Sequence, residues 1–133
     1  KTDHLTKSLS KQMKKGVIII PGSGKYQLQP IFVEDVAKII LKSILEKKFS
    51  KKILDLVGPR KISFEDFVKL FSKNTKVKFK KINLKNAYDE GTYSLESLDL
   101  LIGDYTSDMT QLQKLASIKL TPVEKFLESS SFS

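Results

Sequence analysis

The sequence predicts an α/β fold, short strands with packed helices, and three observations predict it. Two apolar runs, Val17–Ile20 and Ile53–Val57, are each shut off by an adjacent proline and glycine, as buried strands are. Two other stretches, Val36 to Ile44 and Phe64 to Phe71, place apolar residues three or four positions apart, as amphipathic helices do. Turn-forming residues separate these elements at short intervals, so strands and helices alternate along the chain.

The elements follow in order. Asp3 precedes Leu5, Leu9 and Met13 at four-residue spacing, and Gly16 follows, which predicts a capped helix over about 4–15 with a glycine stop. Val17–Ile20 is a strand, residues 21–29 a loop, and Pro30–Val33 an extended segment. Val36, Ile39, Ile40 and Ile44 then form a helical stripe opposed by Lys38, Lys42 and Lys47, with Glu34 and Asp35 near the exposed N–H groups of the first turn. Ile53–Val57 is the next strand, ended by Gly58-Pro59. Ser63 with Asp66 resembles a capping box, and Phe64, Phe67, Val68 and Phe71 give a helix near 64–73 its apolar face.

Val77 to Ile82 reads as a strand whose alternation Lys80 and Lys81 interrupt. Leu95, Leu98, Leu101 and Ile102 predict a helix stopped by Gly103, and Met109, Leu112, Leu115 and Ala116 predict another, capped by Ser107 or Asp108. Thr121-Pro122-Val123-Glu124 combines a cap residue, proline at the first helical position and a box glutamate, so a final short helix starts there. The tail from Ser129 to Ser133 is expected to fray.

At 133 residues the chain is one domain's worth, 1–133 as a single unit, too short for a nucleotide-binding domain plus a substrate domain. No apolar run approaches the ~20 residues needed to cross a bilayer, and the N-terminus has no secretory apolar core. There is no cysteine, which removes disulfides, thiolate metal sites and cysteine nucleophiles together. The expectation is a cytoplasmic protein away from membranes. Charge is uneven: residues 1–81 hold 20 Lys/Arg against 7 Asp/Glu, and residues 82–133 hold 4 against 8. Such a gradient suits a polyanion-binding face. However, Arg60 is the only arginine, and no arginine–aromatic interleaving offers base stacking or bidentate phosphate reading, which argues against nucleic acid as the partner.

The chemistry-bearing patterns mostly fail. Gly22-Ser23-Gly24-Lys25 invites a phosphate-loop reading, but Ile19 and Tyr26 stand where a Walker loop needs glycine and Ser/Thr, and Gln27 stands where a dinucleotide fingerprint needs its third glycine. A glycine turn between extended segments is the plain reading. His4, the only histidine, has no Asp or Ser partner at a recognisable spacing. Glu34-Asp35 and Glu65-Asp66 open helices, and Asp89-Glu90 flanks Gly91 in a loop, so capping and solvation account for the paired acids. No convergent metal ligands are predicted.

The run Gln29-Pro30-Ile31-Phe32-Val33-Glu34-Asp35-Val36-Ala37, preceded by the strand and Pro21-Gly22-Ser23-Gly24 loop, resembles a hallmark of the extended and atypical short-chain dehydrogenases/reductases, the nucleoside-diphosphate-sugar epimerase group. In that hallmark a polar residue and proline precede a β-branched or aromatic pair and then V-[DE]-D-V-A. Leu54-Asp55-Leu56-Val57-Gly58-Pro59 is similar to the last parallel strand of the family's Rossmann sheet, and Ser63–Phe71 to the helix after it. The opening helix is similar to the family segment beside the substrate cleft. The fit tapers after about residue 85, where only the helix from Thr121 to Leu127 has a counterpart. Gln29-Pro30 is closer to the complex I subunit-like and flavin-reductase-like branches than to the classical epimerases, which often carry arginine nearby to hold a substrate phosphate.

The resemblance implies the C-terminal portion of a Rossmann-type enzyme with its nucleotide-binding half absent. The family's glycine-rich cofactor loop and its Tyr-x-x-x-Lys pair lie upstream of the matched segment. Four positions after Tyr26, Tyr88, Tyr93 and Tyr105 stand Pro30, Thr92, Ser97 and Met109, so no such pair is present. The implied function is substrate binding in an NAD(P)-dependent epimerase, dehydratase or reductase, with NAD or NADP bound by the parent protein and none by this chain alone. The implied partners are a small substrate such as a sugar nucleotide and the chain's own N-terminal Rossmann domain. Gly22, Gln29, Pro30 and Phe32 are the candidates for lining the ligand; no catalytic, cofactor-binding or metal residue is expected. With its sheet incomplete, the strand at 53–57 leaves an apolar edge open to self-association. The competing readings are a non-enzymatic ligand- or protein-binding module and a basic nucleic-acid-binding domain.

Overall fold

A computed structural model of the chain describes residues 4–129. The cap expected at Asp3 and the tail after Ser129 lie outside the described residues. Within them, helices and short strands make a mixed α/β fold whose two compact units draw on alternating segments of the chain. The first unit takes in residues 4–28 and Ile62–Tyr105, and the second Gln29–Lys61 and residues 106–129.

In the first unit, α1 (His4–Lys14) turns its fully buried Leu9 inward and ends at Gly16, whose φ of +75° is a left-handed value that glycine adopts without strain. The β-branched run forms β1 (Val17–Pro21), which pairs in parallel with β4 (Lys78–Ile82), Val17 standing opposite Lys78 and Pro21 opposite Ile82. Ile18 and Ile20 alternate into the core, both essentially inaccessible. The other edge of β1 is sealed by side chains: the buried Gln12 Oε1 accepts the Ile19 N–H at 2.7 Å, and the Tyr93 hydroxyl donates to the Ile19 carbonyl at 2.7 Å.

A second ladder joins β2 (Gln27–Leu28) antiparallel to β3 (Ile62–Ser63) and leads straight into α3 (Phe64–Phe71). Ser63 Oγ caps α3 by accepting the Asp66 N–H at 3.1 Å, and all four predicted apolar residues of that helix are buried. The unit continues with α4 (Leu84–Asp89), which sequence periodicity did not predict, and α5 (Leu95–Ile102). Asn83 and Ser94 cap these through the N–H groups of Asn86 and Ser97. The α5 stop at Gly103 is as predicted, although the left-handed residue is Asp104, at φ +48°.

The second unit holds α2 (Val33–Leu45), a 3-10 turn (Lys47–Phe49), α6 (Thr110–Ala116) and α7 (Val123–Ser129). Its core gathers Ile39, Phe49, Leu112, Ala116 and Leu120. Three sequence expectations change here. The expected strand at 53–57 is extended but enters no ladder among the described residues, because apolar composition favours extension while a strand also needs a neighbour to pair with. The α2 stripe is buried on one flank only: Ile39 packs with Leu112 and Ala116 of α6, but Ile40 is 50% and Ile44 76% exposed. Finally, Pro30–Phe32 is unpaired and the helix already begins at Val33.

Candidate functional site

The two stretches that carry the sequence resemblance, 29–37 and 53–59, meet in the second unit. The Gln29 carbonyl accepts the Gly58 N–H at 3.1 Å, and Gln29 Nε2 donates to the Gly58 carbonyl at 3.1 Å. A Cβ on Gly58 would overlap the Pro30 carbonyl oxygen, so only glycine allows this approach. Gln29 Oε1 also accepts the Ser107 N–H at 2.9 Å, and the Ser107 hydroxyl donates to Asp55 Oδ2 at 2.6 Å. One glutamine thus ties three chain segments together.

Phe32 is the residue from which α2 springs, with extended backbone (φ −74°, ψ 133°) and no side-chain cap. Its ring lies flat on Phe126 of α7, centroids 5.4 Å apart and planes 3° from parallel, and both rings are half-buried. Asp35, in the first turn of α2, was expected to serve the helix start. Instead its carboxylate is 1% exposed and reaches across to α7, accepting the Thr121 N–H at 2.6 Å and the Thr121 hydroxyl at 3.2 Å. Lys38 Nζ lies 3.8 Å away and offsets its charge. Thr121, read from sequence as a helix cap, is therefore the partner that holds α7 to α2. Arg60 and Glu124 add an ion pair on the exposed side. Neither Ser107 nor Asp108, the two expected caps of α6, holds that place: the cap residue is Met109, without a side-chain bond, and Asp108 just before it accepts the Thr110 hydroxyl and N–H at 2.6 and 2.9 Å, bonds that hold its carboxyl below the usual carboxylate range.

Of the four candidate ligand residues, Gln29, Pro30 and Phe32 belong to this second-unit cluster, whereas Gly22 belongs to the first unit. Gly22 takes a left-handed φ of +66° and donates its N–H to the Ile82 carbonyl at 2.7 Å, closing the turn at the end of β1 and β4. The loop after β1 runs into β2 rather than into a helix, so it presents no helix N-terminus to a pyrophosphate, and these residues do not fit a dinucleotide. His4 is exposed. Among the described residues no three His, Asp or Glu side chains converge as a metal site, and no helix is long and apolar enough to cross a membrane. Ser107, Thr121 and Phe126 had no sequence signal for joining this cluster, since each comes from beyond residue 105 and meets it only through the tertiary fold.

Beside the cluster an open groove of about 690 Å³ runs between α2 and the extended segment, lined by Ile40, Ile44, Leu45, Phe49, Leu54 and Leu56 among others. The first unit has a basic hollow of about 490 Å³ at the start of β4, where Lys69, Lys73, Lys76 and Lys78 surround Phe79. No family model and no curated protein sequence matches the chain.

Proposed function

We propose that this chain is the substrate-binding C-terminal part of an NAD(P)-dependent, nucleoside-diphosphate-sugar epimerase- or dehydratase-like short-chain dehydrogenase, inert by itself. Cofactor binding and hydride transfer belong to an upstream Rossmann domain of the same polypeptide. The observation that carries this reading is the junction at Gly58: two separate stretches that resemble one family are packed on each other through Gln29, Pro30 and Gly58, with the contact requiring glycine. The cluster offers a small ligand a neutral hydrogen-bonding amide from Gln29 and an aromatic surface from Phe32, which suits a polar, ring-containing substrate.

The test reads the coding sequence upstream for a strand followed by a glycine-rich loop and for Tyr-x-x-x-Lys, then assays the longer polypeptide for nicotinamide-dependent turnover of UDP-glucose and related sugar nucleotides. Turnover that falls at least about tenfold with Gln29→Ala, while the cofactor still binds, is the expected result. An upstream sequence without either motif overturns the reading.

A further inference from the structure

The hollow at the start of β4 gathers positive charge without an acid in its lining to balance it. Lys69, Lys73, Lys76 and Lys78 line it, and no Asp or Glu does. Lys69 is shared with Glu65, one turn earlier in α3, at 3.2 Å, whereas Lys76 and Lys78 enter no ion pair among the described residues. The turn between α3 and β4 adds neutral donors. The N–H groups of Lys76 and Val77 and the Thr75 hydroxyl find no acceptor among the described residues. Like charges around one concavity repel one another, and an anion of high charge density relieves them together.

The residue types narrow the ligand. Lysine is a compact point charge suited to phosphate oxygens, and the lining has no arginine to fork onto a carboxylate or a base edge. Phe79, 41% exposed, is the one aromatic ring of the lining, whereas a nucleic-acid strand is gripped by successive rings along a track. A volume of about 490 Å³ suits a small molecule rather than a chain. We infer that the hollow binds a compact anion carrying several phosphate groups, free in solution or displayed as the headgroup of a phosphorylated lipid. This site does not depend on the substrate cluster, since every lining residue belongs to the first unit and Gln29 to the second.

Calorimetric titration of the 133-residue chain with inorganic tripolyphosphate tests the assignment. Tripolyphosphate is expected to bind at least about tenfold more tightly than orthophosphate. Lys76→Gln combined with Lys78→Gln, both at exposed positions, is expected to weaken it by about tenfold or more. Lys47→Gln combined with Lys52→Gln removes equal charge from the second unit and is expected to leave it unchanged. Co-sedimentation with phosphatidylcholine vesicles separates the two sources. Recruitment by phosphatidylinositol bisphosphate, but not by phosphatidylserine at matched charge, assigns the phosphates to a lipid; tripolyphosphate binding without recruitment assigns them to a free anion. Binding in neither arm, recruitment by both lipids alike, equal weakening in the two double variants, or tighter binding of a single-stranded oligothymidylate of matched charge overturns the site. The proposed function stands or falls separately, on the upstream motifs and turnover, which these titrations do not read.

Discussion

Two extended segments of this molecule meet solvent along an open edge and treat it in opposite ways. β4 pairs with β1 on one side and carries Lys78, Lys80 and Lys81, all exposed; the last is tied to Glu65 at 2.9 Å. Charged lysines on an edge strand discourage pairing with another chain. Ile53–Val57 has no such guard: Ile53 and Leu56 face solvent, and its only charge, Asp55, is turned to Ser107. The difference teaches that exposure has two meanings here. β4 exposes a strand guarded by charge, and the 53–57 segment exposes apolar side chains without that guard.

The largest expected effect comes from breaking the anchor of the unguarded segment. Gly58→Ala forces the Pro30 carbonyl away and should destabilise the second unit by about 3 kcal/mol, read from the urea midpoint. Gly91→Ala, left-handed at φ +64° but in open space, should cost only about 1 kcal/mol. Next, Asp35→Ala strips the Thr121 N–H of its partner and should cost about 2 kcal/mol, loosening α7 and reducing protection of the Thr121 amide in hydrogen exchange.

A pH titration sharpens the contrast from the guarded side. Burial pushes the Tyr93 phenol up to about 12 despite an opposing hydrogen bond with Gln12, and burial followed by the proximity of Tyr93 raises Tyr26 as well. Both groups favour the folded state while protonated, so their contribution is complete below the ordinary tyrosine value of about 10; that of Tyr93 is lost as pH rises from there through about 12, and that of Tyr26 at higher pH still. Ultraviolet titration should find two phenols ionising late, and the β1 edge sealed by Tyr93 should open with them. Tyr93→Phe should flatten that alkaline loss. The smallest effects on stability are the edge swaps themselves. Leu56→Lys and Lys80→Ile should each stay within about 0.5 kcal/mol of the parent, yet light scattering should show the first less prone to associate and the second more so.

What could be read from the sequence divides along the same line. Local signals were sufficient for α1 with Gly16, for α3 with Ser63 and its four apolar residues, and for the β1 run, because capping, turn chemistry and periodicity act within a few residues. The parallel pairing of β1 with β4 was not readable, since the partners are some 60 residues apart and Lys80-Lys81 masks the alternation. The 53–57 run was read as a strand with an open edge; it enters no ladder among the described residues, and composition alone does not report whether a neighbour is present. At the candidate site, Gln29, Pro30 and Phe32 were identifiable from the motif. Their companions Ser107, Thr121 and Phe126 were not, because their roles depend on distant segments folding back.

The interleaving of the two units bears on how the chain is made. All segments of the first unit that hold described elements have been synthesised once Tyr105 has been added, whereas the hydrogen bond from Thr121 to Asp35 spans 86 positions and waits for the segment that leads into α7. Just after Tyr105 has been made, the candidate site is therefore still unfinished, because its Thr121 partner has yet to be synthesised. Stalling translation just after Tyr105 should trap a nascent chain that chaperones hold through Ile53 and Leu56.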